Sequence, residues 1–299
     1  MIIFKRERLG GIRKFTILGF EFSYISKKDK HLIGPRLLDD SKIKPCNFKW
    51  GVSYSVFDGE ELLEASILSI RNQADYVNVV YQTTSWHGLP CKPSLLKTLE
   101  DIKAKGLIDE LIFFEPNLEL NPHRNEITKR NIGLKAAKKA GCDYFMTMDT
   151  DEFYFEHEVI KAKEYIVKKG ITHSFCAQIT YGYEPTSRQI TSNKKCYVEF
   201  FSKLKSSSKC YAKNRRIPCL VDATRCLSHF FGAKYWVLNI VFMNHMSYVR
   251  KDLKAKYMNT SGNGKLVECG DSKFKVLNKD EFIEVPNYFN IHVDIDQRN

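Results

Sequence analysis

An apolar run that stops at three acids constrains this chain more than any other stretch. Residues 144–148 are apolar apart from one threonine, and Asp149, Asp151 and Glu152 come directly after them. A run of this length, following a helical pattern and a glycine, predicts a buried strand. Because side chains alternate along a strand, Asp149 and Asp151 are expected to share a face at its end. Two carboxylates placed together repel each other unless a cation joins them, and a hard divalent ion commonly does so.

The acids alone leave several classes of protein open, since an Asp-x-Asp pair is short and common by chance. A calcium loop of the EF-hand type would need a further ligand near Phe153 and a glycine near Tyr154, and neither is present. A phosphatase with an aspartyl nucleophile also carries Asp-x-Asp after a strand. That pattern usually has a small or β-branched residue where Phe153 stands, so the surrounding sequence has to decide.

Length and composition indicate a globular intracellular protein. The 299 residues allow one large domain or one and a half, and 43% of them are hydrophobic. No apolar run approaches the roughly 20 residues of a membrane span, and the N-terminus lacks a signal peptide's apolar core. The nine cysteines include no Cys-x-x-Cys pair, which predicts reduced thiols in a cytosol and no structural zinc.

The net charge of +12 predicts an anionic partner. No helix-turn-helix, RNP or zinc-finger pattern is present, so nucleic acid is not expected. Basic residues concentrate at positions 5–14, 27–30, 194–216 and 250–256. The apolar stretch with basic flanks at 12–28 is either an extra strand or hairpin, or a patch that lies on an anionic membrane. We therefore expect a cytoplasmic protein that can associate with the inner face of the cytoplasmic membrane.

Strand and helix patterns alternate ahead of the acids, which predicts a parallel, right-handed α/β sheet covered by helices. A Rossmann-like half orders such strands third-second-first-fourth, which would bring residues 54–58 beside residues 149–151. Neither Gly-x-Gly-x-x-Gly nor Gly-x-x-x-x-Gly-Lys-Ser/Thr occurs, so a dinucleotide dehydrogenase and a P-loop enzyme are both disfavoured. The predicted strands are 50–57, 74–81, 110–114 and 144–148, and the predicted helices are 60–71, 94–105 and 125–140.

Two motifs in this region resemble those of GT-A glycosyltransferases, close to family 2. The first is the helix segment Ala65-Ser-Ile-Leu-Ser-Ile-Arg-Asn-Gln-Ala-Asp75. The second is Lys129-Arg-Asn-Ile-Gly-Leu134, which precedes Gly141-Cys-Asp-Tyr-Phe-Met-Thr-Met-Asp-Thr-Asp151 at the family's spacing. Two features depart from the family: the second strand ends in Tyr81-Gln-Thr-Thr-Ser85 instead of Asp-x-x-Ser, and the later Glu-Asp pair is not visible.

The segment His245-Met-Ser-Tyr-Val-Arg-Lys-Asp252 is similar to one found in some glycosyltransferases of bacterial surface polysaccharides, such as lipopolysaccharide and capsule. The two resemblances imply an α/β GT-A fold, with a mostly parallel, helix-flanked central sheet and a smaller C-terminal acceptor-side region. They place a catalytic domain at 50–258, with a nucleotide-binding half at about 50–155 and an acceptor half at about 156–258. A basic and apolar extension at 1–49 and a strand and tail region at 259–299 complete the division.

The resemblance also implies roles for individual residues. The metal, Mn²⁺ or Mg²⁺, would be held by Asp149, Asp151 and His245. Transfer with inversion needs a carboxylate to take the acceptor's proton. The candidates for this base are Glu184, Glu199 and Asp222, with a slight preference for Asp222. The residues expected to bind the donor are Tyr54, Val56, Phe57, Asp58, Arg130, Asp149, Thr150 and Lys251.

The predicted activity is therefore metal-dependent transfer of a hexosyl or N-acetylhexosaminyl group from a nucleotide sugar, with a UDP-sugar as first choice. The expected acceptor is a glycan or lipid-linked glycan of the cell surface. The alternatives are a phosphohydrolase built on the Asp-x-Asp, and a non-catalytic module that binds polyanions or membranes. The residues leave open the sugar, nucleotide, acceptor, stereochemical outcome and oligomeric state.

Overall fold

The computed structural model describes residues 48–190, 197–211, 222–228, 230, 232–259 and 282–293, together with the backbone of three N-terminal strands. Those strands are β1 (Phe4–Leu9), β2 (Ile12–Ile17) and β3 (Phe20–Ile25). They pair in sequence order as an antiparallel meander. Residues 12–17 and 20–25 thus form strands, and the attraction of this stretch to a membrane stays a prediction because its side chains lie outside the described part.

The central sheet contains the four parallel strands that the sequence predicts, in the predicted order. They are β4 (Trp50–Val56), β5 (Tyr76–Tyr81), β6 (Glu110–Phe113) and β7 (Tyr144–Met148). The order β6-β5-β4-β7 puts the first strand beside the fourth, with Tyr54 opposite Met148. The residues after β4 therefore meet the residues after β7 at the carboxyl ends of the two strands, as expected for a topological switch point.

Three helices connect these strands: α1 (Glu60–Arg71), α2 (Pro93–Ala104) and α3 (Pro122–Lys139). The bounds of α1 match the prediction, and α2 is shifted by one residue. Helix α3 begins three residues before the predicted start, because the Asn121 side chain accepts a hydrogen bond from the backbone N–H of His123 at 2.9 Å. Pro122 then fits the first helical position, where its missing N–H costs nothing.

The second half of the chain extends the same sheet. Its elements are β8 (Glu152–Phe153), α4 (Glu156–Lys169), β9 (His173–Thr180), β10 (Ser187–Gln189), β11 (Tyr197–Lys203), β12 (Tyr235–His245), α5 (Leu253–Met258) and β13 (Phe282–Glu284). The eight-stranded order is β6-β5-β4-β7-β11-β9-β12-β8, while β10 and β13 pair separately. Four of the seven neighbouring pairs in the large sheet are parallel, which confirms the predicted mostly parallel α/β class.

The chain leaves the middle of the sheet at β7 and immediately reaches its far edge at β8. Strand β8 lies antiparallel to β12, with Glu152 opposite His245. Residues 149–151 bridge the two strands as a turn. The expectation that Asp149 and Asp151 share one face of a strand is therefore wrong, because the strand ends at Met148 and the turn sends the two carboxylates to different partners.

No helix in the described part of the chain combines the length and the apolar character needed to cross a bilayer.

Helix α3 lies unusually close to the sheet at Gly133. A Cβ atom at this position would stand 1.9 Å from Ser53 Oγ and 3.0 Å from Asn78 Oδ1. Asn78 also donates to the Gly133 carbonyl at 3.1 Å, so a polar contact ties the helix to β5. This close approach positions the preceding turn of α3, with Lys129 and Arg130, over the carboxyl ends of the strands.

Gly133→Ala should therefore destabilise the protein. Alanine inside a helix normally gains about 1 kcal/mol over glycine, but here the methyl group must push α3 away from β4. Overpacking of this kind costs about 1–3 kcal/mol, and urea denaturation measures it. Lys135→Ala, on the exposed face of the same helix, is the control and should change stability by less than about 0.5 kcal/mol. A more stable Gly133→Ala variant would contradict the close packing.

Candidate active site

A cavity of about 310 Å³ opens where the carboxyl ends of β4 and β7 meet the end of β12. Its lining combines two aromatic side chains with a dense set of charged groups. The lining residues are Ser55, Phe57, Asp58, Trp86, Glu126, Lys129, Asp149, Thr150, Asp151, Glu152, Asp222, Arg225, His245, Ser247, Arg250, Lys256 and Asn259. The predicted convergence of the segment after β4 with the acids after β7 is confirmed, since Thr150 Oγ1 donates to the Asp58 carbonyl at 3.2 Å.

Asp149 belongs to a buried cluster that we call the arginine pair, formed by Arg130 and Arg225 with the acids around them. Arg130 Nη2 lies 3.2 Å from Asp149 Oδ1, and Arg225 Nη2 lies 2.8 Å from Asp149 Oδ2. Both arginines also contact Asp222, and Arg225 Nη1 lies 2.8 Å from Glu152 Oε1. The arginine side chains are 1% and 2% exposed, so they are held inside the protein by these carboxylates.

The pKa values of two acids in this cluster, Glu152 and Asp222, are shifted in opposite directions. Burial raises the pKa of Glu152 to about 8, and the charges of Asp149 and Asp151 add to this although Arg225 opposes it. Burial also acts to raise the pKa of Asp222, but Arg130 and Arg225 hold it well below its usual range. Asp222 is therefore ionised at the cavity wall, and two guanidinium groups make it a weak proton acceptor.

Asp151 belongs to a second cluster, which we call the lysine cage. Arg250 Nη2 lies 3.0 Å from Asp151 Oδ2, and the ammonium of Lys256 contacts the same oxygen. Ser247 accepts two hydrogen bonds from the same ammonium, through its Oγ at 2.6 Å and its carbonyl oxygen at 3.2 Å. Burial would raise the pKa of the Asp151 carboxyl, but Lys256, Arg250 and His245 hold it well below its usual range. Burial lowers the pKa of Lys256, and Asp151 opposes this shift.

His245 meets Asp151, as the predicted metal set required, although the two residues are far apart in sequence. Its Nε2 lies 3.5 Å from Asp151 Oδ2, and its Nδ1 lies 2.8 Å from the side-chain nitrogen of Gln178. Because an amide N–H donates, Nδ1 is the acceptor in this contact.

The predicted metal ligands do not fit a divalent ion in this arrangement. Asp149 faces two arginines, and Asp151 faces Arg250 and Lys256, so both carboxylates are already paired with side-chain cations. Across the described residues, no three or more histidine, cysteine, aspartate or glutamate side chains are grouped as metal ligands. Binding of Mn²⁺ or Mg²⁺ stays a prediction from the sequence.

The residues predicted to bind the donor divide into two groups. Phe57, Asp58 and Thr150 line the cavity with Asp149. Tyr54 does not line it, because its side chain is fully buried and its hydroxyl lies 3.1 Å from that of Ser66 in the core.

The other three predicted donor residues also lie outside the lining. Val56 is buried and presents its carbonyl oxygen to Lys129 Nζ at 2.7 Å. The side chain of Lys251 is exposed, and its backbone N–H donates to Glu61. Arg130 lies beneath Asp149, where its side chain is buried among Glu126, Asp149 and Asp222.

Of the three carboxylates proposed as the base, the structure brings only Asp222 to the cavity. Glu184 is exposed and does not line it. Glu199 is buried on β11, where it accepts hydrogen bonds from the backbone of Leu227 at 2.8 Å and from the Ser202 hydroxyl. Burial raises the pKa of Glu199 to about 8.

Sequence reasoning missed several residues that form the cavity. Lys129 Nζ lies 5.5 Å from the centre of the Trp86 ring, and burial lowers the pKa of this lysine to about 7. Lys256 stands at the end of the basic segment 250–256, and Arg225 stands three residues after the base candidate Asp222. Nothing in the spacing shows that positions 225 and 256 face the acids, because the fold alone decides which residues of those segments turn inward.

Gly59 makes room for Arg250. It adopts a left-handed backbone with φ of 76°, and a Cβ atom there would stand 1.6 Å from Arg250 Nη1. Gly59→Ala should therefore both strain the backbone and displace the guanidinium from Asp151. Gly141→Ala is the matched control, since Gly141 has φ of 78° and no atom within 4 Å of the added carbon. We expect Gly59→Ala to lose about 1–3 kcal/mol more in urea denaturation than the control, and equal losses would contradict the contact.

Glu199 should make stability depend on pH. Its folded-state pKa of about 8 lies above the ordinary value of 4.5, so the folded protein holds a proton that the unfolded chain releases. The stability contributed by this proton is fully present below about pH 4.5 and is lost as pH rises through about 8. Glu199→Gln should remove this dependence, as urea denaturation at pH 5.5, 7 and 8.5 would show. The exposed Glu184→Gln is the control, and a variant that keeps the wild-type pH slope would contradict the assignment.

Comparisons with known proteins give overlaps with solved structures. No family model matches this chain, and no curated protein matches it. S. aureus TarS 1–349 in complex with UDP overlaps 46% of this chain and 37% of its own, with a TM-score of 0.35 and 14% identity. The same protein in complex with UDP-GlcNAc overlaps 46% of this chain and 36% of its own, with a TM-score of 0.34 and 13% identity. CMP:2-keto-3-deoxy-manno-octonic acid synthetase complexed with CTP overlaps 52% of this chain and 64% of its own, with a TM-score of 0.28 and 12% identity. This chain thus spans little more than a third of those TarS chains, and no residue role is transferred from them.

Proposed function

We propose that the cavity binds a nucleotide sugar and that the protein is a glycosyltransferase acting on a glycan or lipid-linked glycan of the cell surface. The observation that carries this proposal is the set of side chains that line the cavity. Aromatic rings, buried cations and carboxylates converge on a single space at the carboxyl ends of two adjoining parallel strands. That position is where open α/β sheets bind their ligands.

Each group suits one part of a nucleotide sugar. Trp86 and Phe57 offer aromatic surface to a base, and stacking of this kind needs no particular sequence of polar contacts. Arg250 and Lys256 offer positive charge to a diphosphate. Asp58 and the other acids of the lining offer acceptors for the hydroxyl groups of ribose and sugar. A volume of about 310 Å³ lies at the lower end of the range for small-molecule sites.

The chemistry of transfer follows from these placements. The acceptor hydroxyl attacks the anomeric carbon, the bond from that carbon to the diphosphate oxygen breaks, and the electron pair leaves with the diphosphate. The cavity must offset this growing negative charge. Asp222 is the one base candidate at the cavity. Arg130 and Arg225 make it a weak base, so it receives the acceptor's proton only as the new bond forms and the attacking hydroxyl becomes strongly acidic.

The alternative phosphohydrolase is less well supported by the geometry. It would need Asp149 as a nucleophile, but Arg130 and Arg225 lie within 3.3 Å of its two carboxylate oxygens. The polyanion-binding module is also less well supported, because Arg250 and Lys256 line a cavity of about 310 Å³, which suits a small ligand better than an extended polymer.

The test is calorimetry of UDP, GDP and CDP binding, together with release of nucleoside diphosphate from the matching sugar donors. We expect a UDP-sugar to be used, and Trp86→Ala to weaken UDP binding about tenfold, since a stacked base contributes about 1–3 kcal/mol. Phe113→Ala removes an aromatic ring that is 49% exposed and outside the cavity, so it should leave binding unchanged. Failure to bind any nucleotide would refute the proposal, and phosphate release from p-nitrophenyl phosphate without an acceptor would favour the hydrolase.

A further inference from the structure

The lysine cage holds an ammonium group where three oxygen atoms converge. Lys256 Nζ contacts Asp151 Oδ2, Ser247 Oγ at 2.6 Å and the Ser247 carbonyl oxygen at 3.2 Å. An ammonium has three hydrogens to donate, and each has an acceptor here. Oxygen atoms arranged around one point are also what a hard metal ion prefers. In this protein a side-chain cation lies at that point.

Arg250 places a second positive charge beside the same carboxylate. Its Nη2 lies 3.0 Å from Asp151 Oδ2 and donates to Thr150 Oγ1 at 3.3 Å, while its Nε is buried without an acceptor. The side chain is 5% exposed, so water screens it little. Asp151 thus faces two cations, and Asp58, at 3.9 Å from Arg250 Nη1, is the second acid beside them.

A divalent ion would have to enter against this arrangement. It would displace Lys256 from Asp151 and lie close to the guanidinium of Arg250. Each step carries an electrostatic cost, because like charges in a buried site repel strongly. A diphosphate is attracted by both cations, and its oxygens can replace the 3.2 Å contact between Lys256 and the Ser247 carbonyl.

We propose that Lys256 and Arg250 take the place of a divalent ion, so that this protein binds the diphosphate of its donor, and offsets the leaving group's charge, without a metal. The inference rests on the proposed function and gives it a specific electrostatic form. The growing charge on the departing diphosphate is met by an ammonium and a guanidinium that are already in position, so little reorganisation is needed during the reaction.

The test compares UDP binding by the full chain in EDTA, in Mg²⁺ and in Mn²⁺, with UDP release from a UDP-sugar measured in the same buffers. We expect dissociation constants that agree within about twofold and turnover that persists in EDTA. Lys256→Met should weaken UDP binding tenfold or more while leaving uridine binding unchanged, because uridine lacks the phosphates. Lys97→Met, at an exposed position on α2, is the matched control and should behave as wild type.

The outcomes separate the two proposals. UDP binding that tightens tenfold or more with Mn²⁺ and disappears in EDTA would overturn metal independence while supporting the nucleotide-sugar function. No binding of UDP, GDP or CDP in any buffer would overturn both. The comparison of buffers uses the wild-type protein alone. Should Lys256→Met fail to fold, Lys256→Arg keeps the positive charge and should keep metal-independent UDP binding. Equal loss of UDP and uridine binding in a folded Lys256→Met protein would also overturn the inference.

Discussion

The arginine pair holds the site together. Arg130 comes from α3 and Arg225 from the short turn at 223–225, and both contact Asp149 at the end of β7. Burying a guanidinium costs several kcal/mol unless acids surround it, so these carboxylates fix the two arginines as firmly as the arginines fix them. The helix, the turn and the strand end are joined by charge at the place where backbone pairing stops.

This joining explains why the site has two electrostatic halves. Around the arginine pair, Glu126, Asp149, Glu152 and Asp222 outnumber two cations. Around the lysine cage, Arg250 and Lys256 match two acids, Asp151 and Asp58, so this half carries relatively more positive charge. The Asp-Thr-Asp turn sets these halves side by side, because each of its acids pairs with a different set of cations. A ligand with a negative end and a hydroxyl-rich end matches this division, and that match underlies the proposed function.

The sequence predicted the sheet far better than the site. Local patterns sufficed for β4 to β7 and α1, since a short apolar run or a helical repeat carries its own signal. The order of the strands followed from chain connection rules, which also placed Asp58 near Asp149. The positions of Arg130 and Lys251 could not be predicted in the same way. Arg130 is buried because its side of α3 faces the acids of the site, and Lys251 is exposed because its side of the segment after β12 faces away from the cavity. The metal ligand set required Asp149 and Asp151 to point together, and one turn of backbone after Met148 separates them.

Gly59 has a consequence that reaches beyond its own turn. Its missing side chain leaves the space that Arg250 Nη1 occupies, although 191 positions separate the two residues in the sequence. A chain that gained a side chain at 59 would have to give up the arginine, and one that lost the arginine would be released from half the constraint on the glycine. The two positions are thus expected to vary as one unit in evolution, so that a related chain with a larger residue at 59 would also need a different way of meeting the charge of its ligand.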